Sequence, residues 1–301
     1  MLSKILLPPW RILKAAIREL GAHDVFRMAG ATAFFTTFAL PAILMIIVST
    51  LGLFSDRRTI GRQLGGQLRK IFGEESMGSI VQAIRSFRAL QDNYLLTAGI
   101  FVFLLFVATT LFKIIKNSIN EIWNIRSTKQ GNFVIMVKSR AASVLVILLG
   151  GILFFAVQIL DAWRLMLSQY LVDSLTASGI YFNRFLGIGL VVLVSTLWFY
   201  VLFSFLPDGR PSRKIMLGGA LITAILFNAG KLILRVLLSP GKVNSFYGAS
   251  GALVLVLLFM FYSSLILYFG AALIRAWGDA LGRPVMPRQH AIKYRTEQDD
   301  R

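Results

Sequence analysis

The run Leu206-Pro207-Asp208-Gly209-Arg210-Pro211-Ser212-Arg213-Lys214 is a polar turn between two long apolar stretches, and its reading decides the fold. An apolar segment follows at 215–238. A second turn, Ser239-Pro240-Gly241-Lys242-Val243-Asn244-Ser245, leads into another apolar segment at 246–276. Each exceeds the roughly 20 residues that carry an α-helix across a bilayer, so the pair reads as a membrane hairpin. Its first arm holds three polar residues on one helix face, Asn228, Lys231 and Arg235.

Working outward, further spans are expected at about 29–54, 95–115, 139–160 and 185–206. The first opens on small residues, Ala29-Gly30-Ala31-Thr32-Ala33, which let helices approach closely. Pro41 is expected to kink it, and Gly150-Gly151 to be a packing or bending point in the third. The composition agrees: 56% of residues are hydrophobic and 15% charged, against about 45–50% and about 25% in a soluble domain. The expected fold is all-α, a polytopic transmembrane helical bundle of about six spans with amphipathic interfacial helices. A basic interfacial segment, 1–28, precedes the membrane domain at 29–277, and a polar tail at 278–301 is expected to be disordered.

Two extramembrane stretches are patterned. Ile12, Leu13, Ala16, Ile17 and Leu20 recur opposite Arg11, Lys14 and Arg18, as in a helix lying at the interface. Residues 55–92 read as two short amphipathic helices, 124–137 as a basic loop and 161–182 as a mixed loop. Lys and Arg concentrate in the N-terminus, 113–140, 207–214 and the tail, so both termini are expected in the cytoplasm. The seven basic residues of 55–92, on the other side, run against that bias.

The net charge of +18 would suggest nucleic acid in a soluble protein. In a membrane protein it reads as basic loops meeting anionic headgroups, so membrane lipids are the expected partners and nucleic acid is not. There is no cysteine, and the histidines are His23 and His290. Disulfides and thiolate chemistry are excluded, and no metal, cofactor or catalytic residue is expected. Gly61-Arg62-Gln63-Leu64-Gly65-Gly66 lacks the Lys-Ser/Thr of a phosphate loop.

Two constellations remain as candidate sites. Lys113, Lys116, Asn117 and Asn120 share a helix face, with Glu121 beside them. They read as an interfacial helix end with snorkelling lysines or as a polar vestibule on the cytoplasmic side. The second is Asn228, Lys231 and Arg235, with Gln158 and Asp161 ending the third span on the same side. A lysine at the bilayer centre costs about 2.5–3.5 kcal/mol. Lys231 therefore either snorkels outward or faces the bundle interior, where Gln158 is its candidate partner and Asp161 that of Arg235.

These residues resemble the YihY/BrkB family of bacterial inner-membrane proteins. The similarity rests on Ala29-Gly30-Ala31-Thr32-Ala33-Phe34-Phe35 through Pro41, Asn120-Glu121-Ile122-Trp123, Leu206-Pro207-Asp208, Lys231 and Tyr247-Gly248-Ala249-Ser250-Gly251-Ala252, in that order. The resemblance implies six spans and an inner-membrane location. It brings a historical ribonuclease label that the residues do not support, and no catalytic residue. The function expected is a transporter or lipid-handling protein of the cell envelope. The rival is a non-transporting scaffold, with a second copy of the chain or an envelope protein as partner.

Overall fold

Small side chains and glycines decide where the helices of this chain meet. The structure, a computed structural model, describes residues 9–51, 62, 65–66, 94–128, 145–146, 148–153, 156, 177–237, 251–288 and 291–294. Its long helices are α1 (Pro9–Gly21), α2 (Val25–Leu51), α3 (Tyr94–Ile122), α4 (Ala177–Phe205), α5 (Arg213–Leu237) and α6 (Gly251–Ala280). The described parts of 145–156, where the third span was expected, are helical as well. The fold is the expected all-α bundle. Among the described residues, Leu186–Phe205, Arg213–Leu234 and Leu253–Ala280 are helices long and apolar enough to cross a bilayer.

Helix α6 is the centre of the packing. Helices α1, α2 and α5 lie against it, α3 touches both α2 and α6, and α4 lies against α5. The α5–α6 seam is made by small residues: Ala220, Thr223 and Ala224 are fully buried. A side chain at Gly219 would run into Ile274, and one at Gly270 into Thr223 and Phe203. On α2, Ala29, Thr32 and Ala33 are buried, and Thr32 Oγ1 lies 2.5 Å from the Tyr268 hydroxyl of α6. The expected close approach at Gly150 is present, since a Cβ there would lie 2.8 Å from the Trp198 ring of α4.

Local chemistry sets the helix ends. Pro207 cannot continue α4, because its ring blocks the next helical hydrogen bond. Asn124 stops α3 in the left-handed region (φ 53°). Gly282 stops α6 there too (φ 68°), with Arg283 N donating to Gly278 O at 2.8 Å and Gly282 N to Asp279 O at 3.1 Å. That pair of bonds is a Schellman closure, which satisfies carbonyls left open at a helix end.

The tail departs from expectation. Its described residues, 278–288 and 291–294, hold the end of α6 and two short strands where disorder was expected from 278 onward, and residues 289–290 and 295–301 lie outside the described ones. Strand β3 (Met286–Pro287) pairs with β2 (Gly209–Arg210), and β4 (Ala291–Lys293) with β1 (Ile125–Ser127). Part of the 124–137 loop is therefore strand. The backbone groups of these short segments find partners in each other, which composition alone does not reveal. Helix α4 likewise starts inside the stretch read as a mixed loop. Helix α2 runs on through Pro41. Apart from residues 62, 65 and 66, which are helical, the 55–92 segment lies outside the described residues.

The seam makes a direct expectation for stability. Gly219→Ala should destabilise the protein by about 1–3 kcal/mol through overpacking against Ile274. Gly189→Ala, in α4 with open space around it, should be neutral or gain up to about 1 kcal/mol from helix propensity. Unfolding of the purified protein in detergent measures both, and equal effects would remove the packing argument.

Candidate functional site

At one end of the bundle the polar residues fasten the helices together. Asp208, in the α4–α5 turn, is buried (2% exposed). Lys116 Nζ of α3 lies 2.9 Å from its Oδ1, and Asn120 Nδ2 donates to its Oδ2 at 3.0 Å. Asp208 N donates back to Asn120 Oδ1 at 2.8 Å, and its carbonyl accepts from Arg288 N at 2.8 Å. The Arg288 guanidinium reaches Ser204 O at 2.6 Å. Burial first, then the neighbouring Arg210, hold Arg288 below the ordinary arginine range, and Asp208 opposes them. Beneath this turn Trp123 is fully buried and donates through Nε1 to Ala271 O at 2.9 Å. Gly209 packs on its ring, where a Cβ would lie 2.5 Å from Trp123 Cε3.

Arg275 of α6 organises the neighbouring contacts. Its Nη1 donates to Ile122 O at 2.5 Å and lies 3.0 Å from Glu19 Oε2 of α1. The Asn124 amide fits best with its oxygen accepting from Arg275 Nη2 (2.9 Å) and its nitrogen donating to His23 Nε2 (3.2 Å). That orientation agrees with His23 Nδ1 donating to Glu19 O at 2.8 Å. Tyr294 N closes the group by donating to Asn124 O at 3.0 Å. Burial, then Glu121, push the Tyr294 phenol above its usual range, against Arg126 and Arg275.

The expected α3 stripe is thus divided. Asn120 and Lys116 turn onto Asp208. Lys113 and Asn117 are exposed. Glu121 faces Arg27 at 3.8 Å, a partly exposed pair of little energetic weight.

The second constellation occupies the α4–α5 contact. Asn228 Nδ2 donates to Ser195 Oγ of α4 at 3.0 Å and to Ala224 O at 2.8 Å. Its Oδ1 accepts from Lys231 Nζ at 3.1 Å. Lys231 is half-buried, in the last turn of the apolar stretch Arg213–Leu234, with Nζ 5.9 Å from the Phe227 ring centroid. Tyr262 of α6 reaches across to Leu226 O at 2.7 Å, over the space left by Gly230. Arg235 lies in α5, with its side chain outside the description. Gln158 and Asp161, its proposed companions and those of Lys231, lie outside the described residues.

The sequence reading missed Asp208, Arg275, Ser195 and Tyr262 as site residues. Asp208 and Trp123 were noticed only as parts of separate motifs, which the fold brings into one cluster. Arg275 is a single basic residue near the end of an apolar run, which carries no signal of its partners. Ser195 and Tyr262 carry a weak signal, as polar atoms in otherwise apolar helices. No group of acids and histidines that would hold a metal occurs among the described residues.

A family model described as "Virulence factor BrkB" matches residues 16–288. A UPF0761 membrane protein of Pseudomonas paraeruginosa is 27% identical over 249 residues, which is 82% of this chain and 57% of that protein. One from Azotobacter vinelandii is 29% identical over 254 residues, 82% of this chain and 58% of its own. One from Vibrio parahaemolyticus is 26% identical over 280 residues, 92% of this chain and 85% of its own. The chain therefore spans little more than half the length of the first two. No solved structure matches.

The Arg275 contacts set a test of geometry against charge. Arg275→Lys keeps the charge and loses the planar fork. It should destabilise the protein by about 1.5–3 kcal/mol, the worth of one charge-assisted hydrogen bond. Arg27→Gln, at an exposed pair, should cost at most about 1 kcal/mol. Chemical unfolding in micelles reads both; a harmless Arg275→Lys would show that charge alone suffices.

Proposed function

The chain belongs to the BrkB family of membrane proteins, and on that premise we propose that it is a transporter or lipid-handling protein of the bacterial inner membrane. The observation that carries the reading is the Ser195–Asn228–Lys231 chain of hydrogen bonds between two bilayer-length helices. Ionisable groups in such helices are costly to insert and mark substrate or ion pathways where they face the bundle. Asn228 is too short to reach an interface. It directs its amide to α4, so this part of the polar face turns toward another helix. Lys231, attached to Asn228, is the cation that would meet an anionic group or exchange a proton.

The multi-pass arrangement we propose has both termini in the cytoplasm. It is supported by the geometry of the locked end, where the α1–α2 junction, the end of α3, the α4–α5 turn and the described tail all meet. Exposed cations gather there, among them Arg126, Arg210, Arg213, Lys214, Arg283 and Lys293. The competing scaffold reading looks for an open small-residue groove. The groove of α5, at Gly219, Ala220, Thr223 and Ala224, is filled by α6.

Complementation of a deletion strain, with protein abundance checked by blot, tests the site. Lys231→Met should insert at normal abundance, because loss of the charge lowers the transfer cost, and should fail to restore the envelope function that the deletion removes. Lys231→Arg should retain part of it, since charge survives while shape changes. Full complementation by Lys231→Met at normal abundance would reject the polar pathway and favour the scaffold.

A further inference from the structure

Helix α1 carries three distinct faces around its circumference. On the first, Ala16 is buried while Ile12 and Leu20 pack against the core where α1 meets α6. Glu19 belongs to this side and is spent on Arg275 at 3.0 Å. The second face follows around the helix from Leu13 to Ile17 and Trp10. Trp10 is 69% exposed and Ile17 55%, an apolar strip that the other described residues leave uncovered. The third holds Lys14, Arg18 and Arg11, all exposed. Glu19 is the sole acid of α1 and is withdrawn into the protein, so the two free faces are an apolar strip and a cationic strip with no acid between them.

We infer that α1 is a docked surface helix: Trp10, Leu13 and Ile17 enter the acyl boundary of one leaflet, and Arg11, Lys14 and Arg18 hold its anionic headgroups. This goes beyond the proposed transport or lipid-handling role and does not depend on it. A tryptophan beside basic side chains suits the interface, where one part of each residue is apolar and the other wet. The charge complementarity selects a leaflet rich in acidic lipid. The helix is no free arm, because Glu19 and the core face fix it on α6. It therefore sets the level of the headgroups against the cluster that Arg275 organises.

The natural absence of cysteine makes the test clean. The full-length protein carries a single nitroxide at Trp10→Cys, Ile17→Cys, Arg11→Cys or Arg18→Cys, in bilayers of phosphatidylglycerol and phosphatidylcholine. Labels at 10 and 17 should collide severalfold more with oxygen than with a water-soluble nickel chelate, and labels at 11 and 18 should show the reverse. Uniform access to the chelate would overturn insertion. Spin–spin broadening at 10 and 17 that dilution with unlabelled protein removes would assign the face to a second copy and overturn the proposal. In the same bilayers, Arg11→Gln/Lys14→Gln/Arg18→Gln should lower the preference of boundary lipid for spin-labelled phosphatidylglycerol over phosphatidylcholine severalfold. An unchanged preference would refute the headgroup assignment.

Discussion

A carboxylate shut away from water, Asp208, governs one end of this molecule. A buried charge costs several kcal/mol unless it is paired and its remaining lone pairs are bonded. Here the pairing comes from Lys116 and Asn120, four residues apart on α3, and the turn's own amide returns a bond to Asn120. The arrangement holds α3, the α4–α5 turn and the tail in one geometry, because each supplies a partner that the others lack. Trp123 lies under the same turn with its indole N–H on α6, so the polar lock and the apolar core meet at one place.

Much of this was legible in the sequence, and the limits are physical. Periodicity put Lys116 and Asn120 on one face, since it reports on neighbours along a helix. It could not name Asp208, 88 residues from Asn120 and brought there by the crossing of whole helices. Apolar run length located α5 and α6 within a few residues, because bilayer thickness fixes their size. It was blind to β4, whose three residues are too few for an alternation and whose pairing depends on β1, far away in the chain. Asn228 and Lys231 stood out because polarity in an apolar run is conspicuous. Ser195 did not, since a serine can bond a carbonyl of its own helix, as it does at Val191 O. Nor did Tyr262, since its ring is apolar and only its tip needs a partner.

The two polar groups differ in kind. The group around Asp208 and Arg275 is closely partnered by backbone and side chains, and it fastens helix ends at the cation-rich side. The group around Lys231 lies toward the far end of α5, where side-chain hydrogen bonds join α4 to α5. A protein that moves a ligand through a membrane needs both a fixed frame and a polar element inside its spans. That division supports the proposed reading of the chain as more than a passive bundle.

The central claim is that Asp208 and Lys116 act as one unit. A double-mutant cycle on the purified protein, by reversible unfolding in mixed micelles, measures it most directly. Lys116→Met should destabilise the protein by about 3–5 kcal/mol, because it leaves the buried Asp208 charge uncompensated. Asp208→Asn should cost about 1.5–3 kcal/mol, because it strips the partly buried Lys116 of a charge-assisted bond. The double variant should recover most of that loss, with a coupling of at least about 2 kcal/mol. Additive losses, with no recovery in the double variant, would contradict the account.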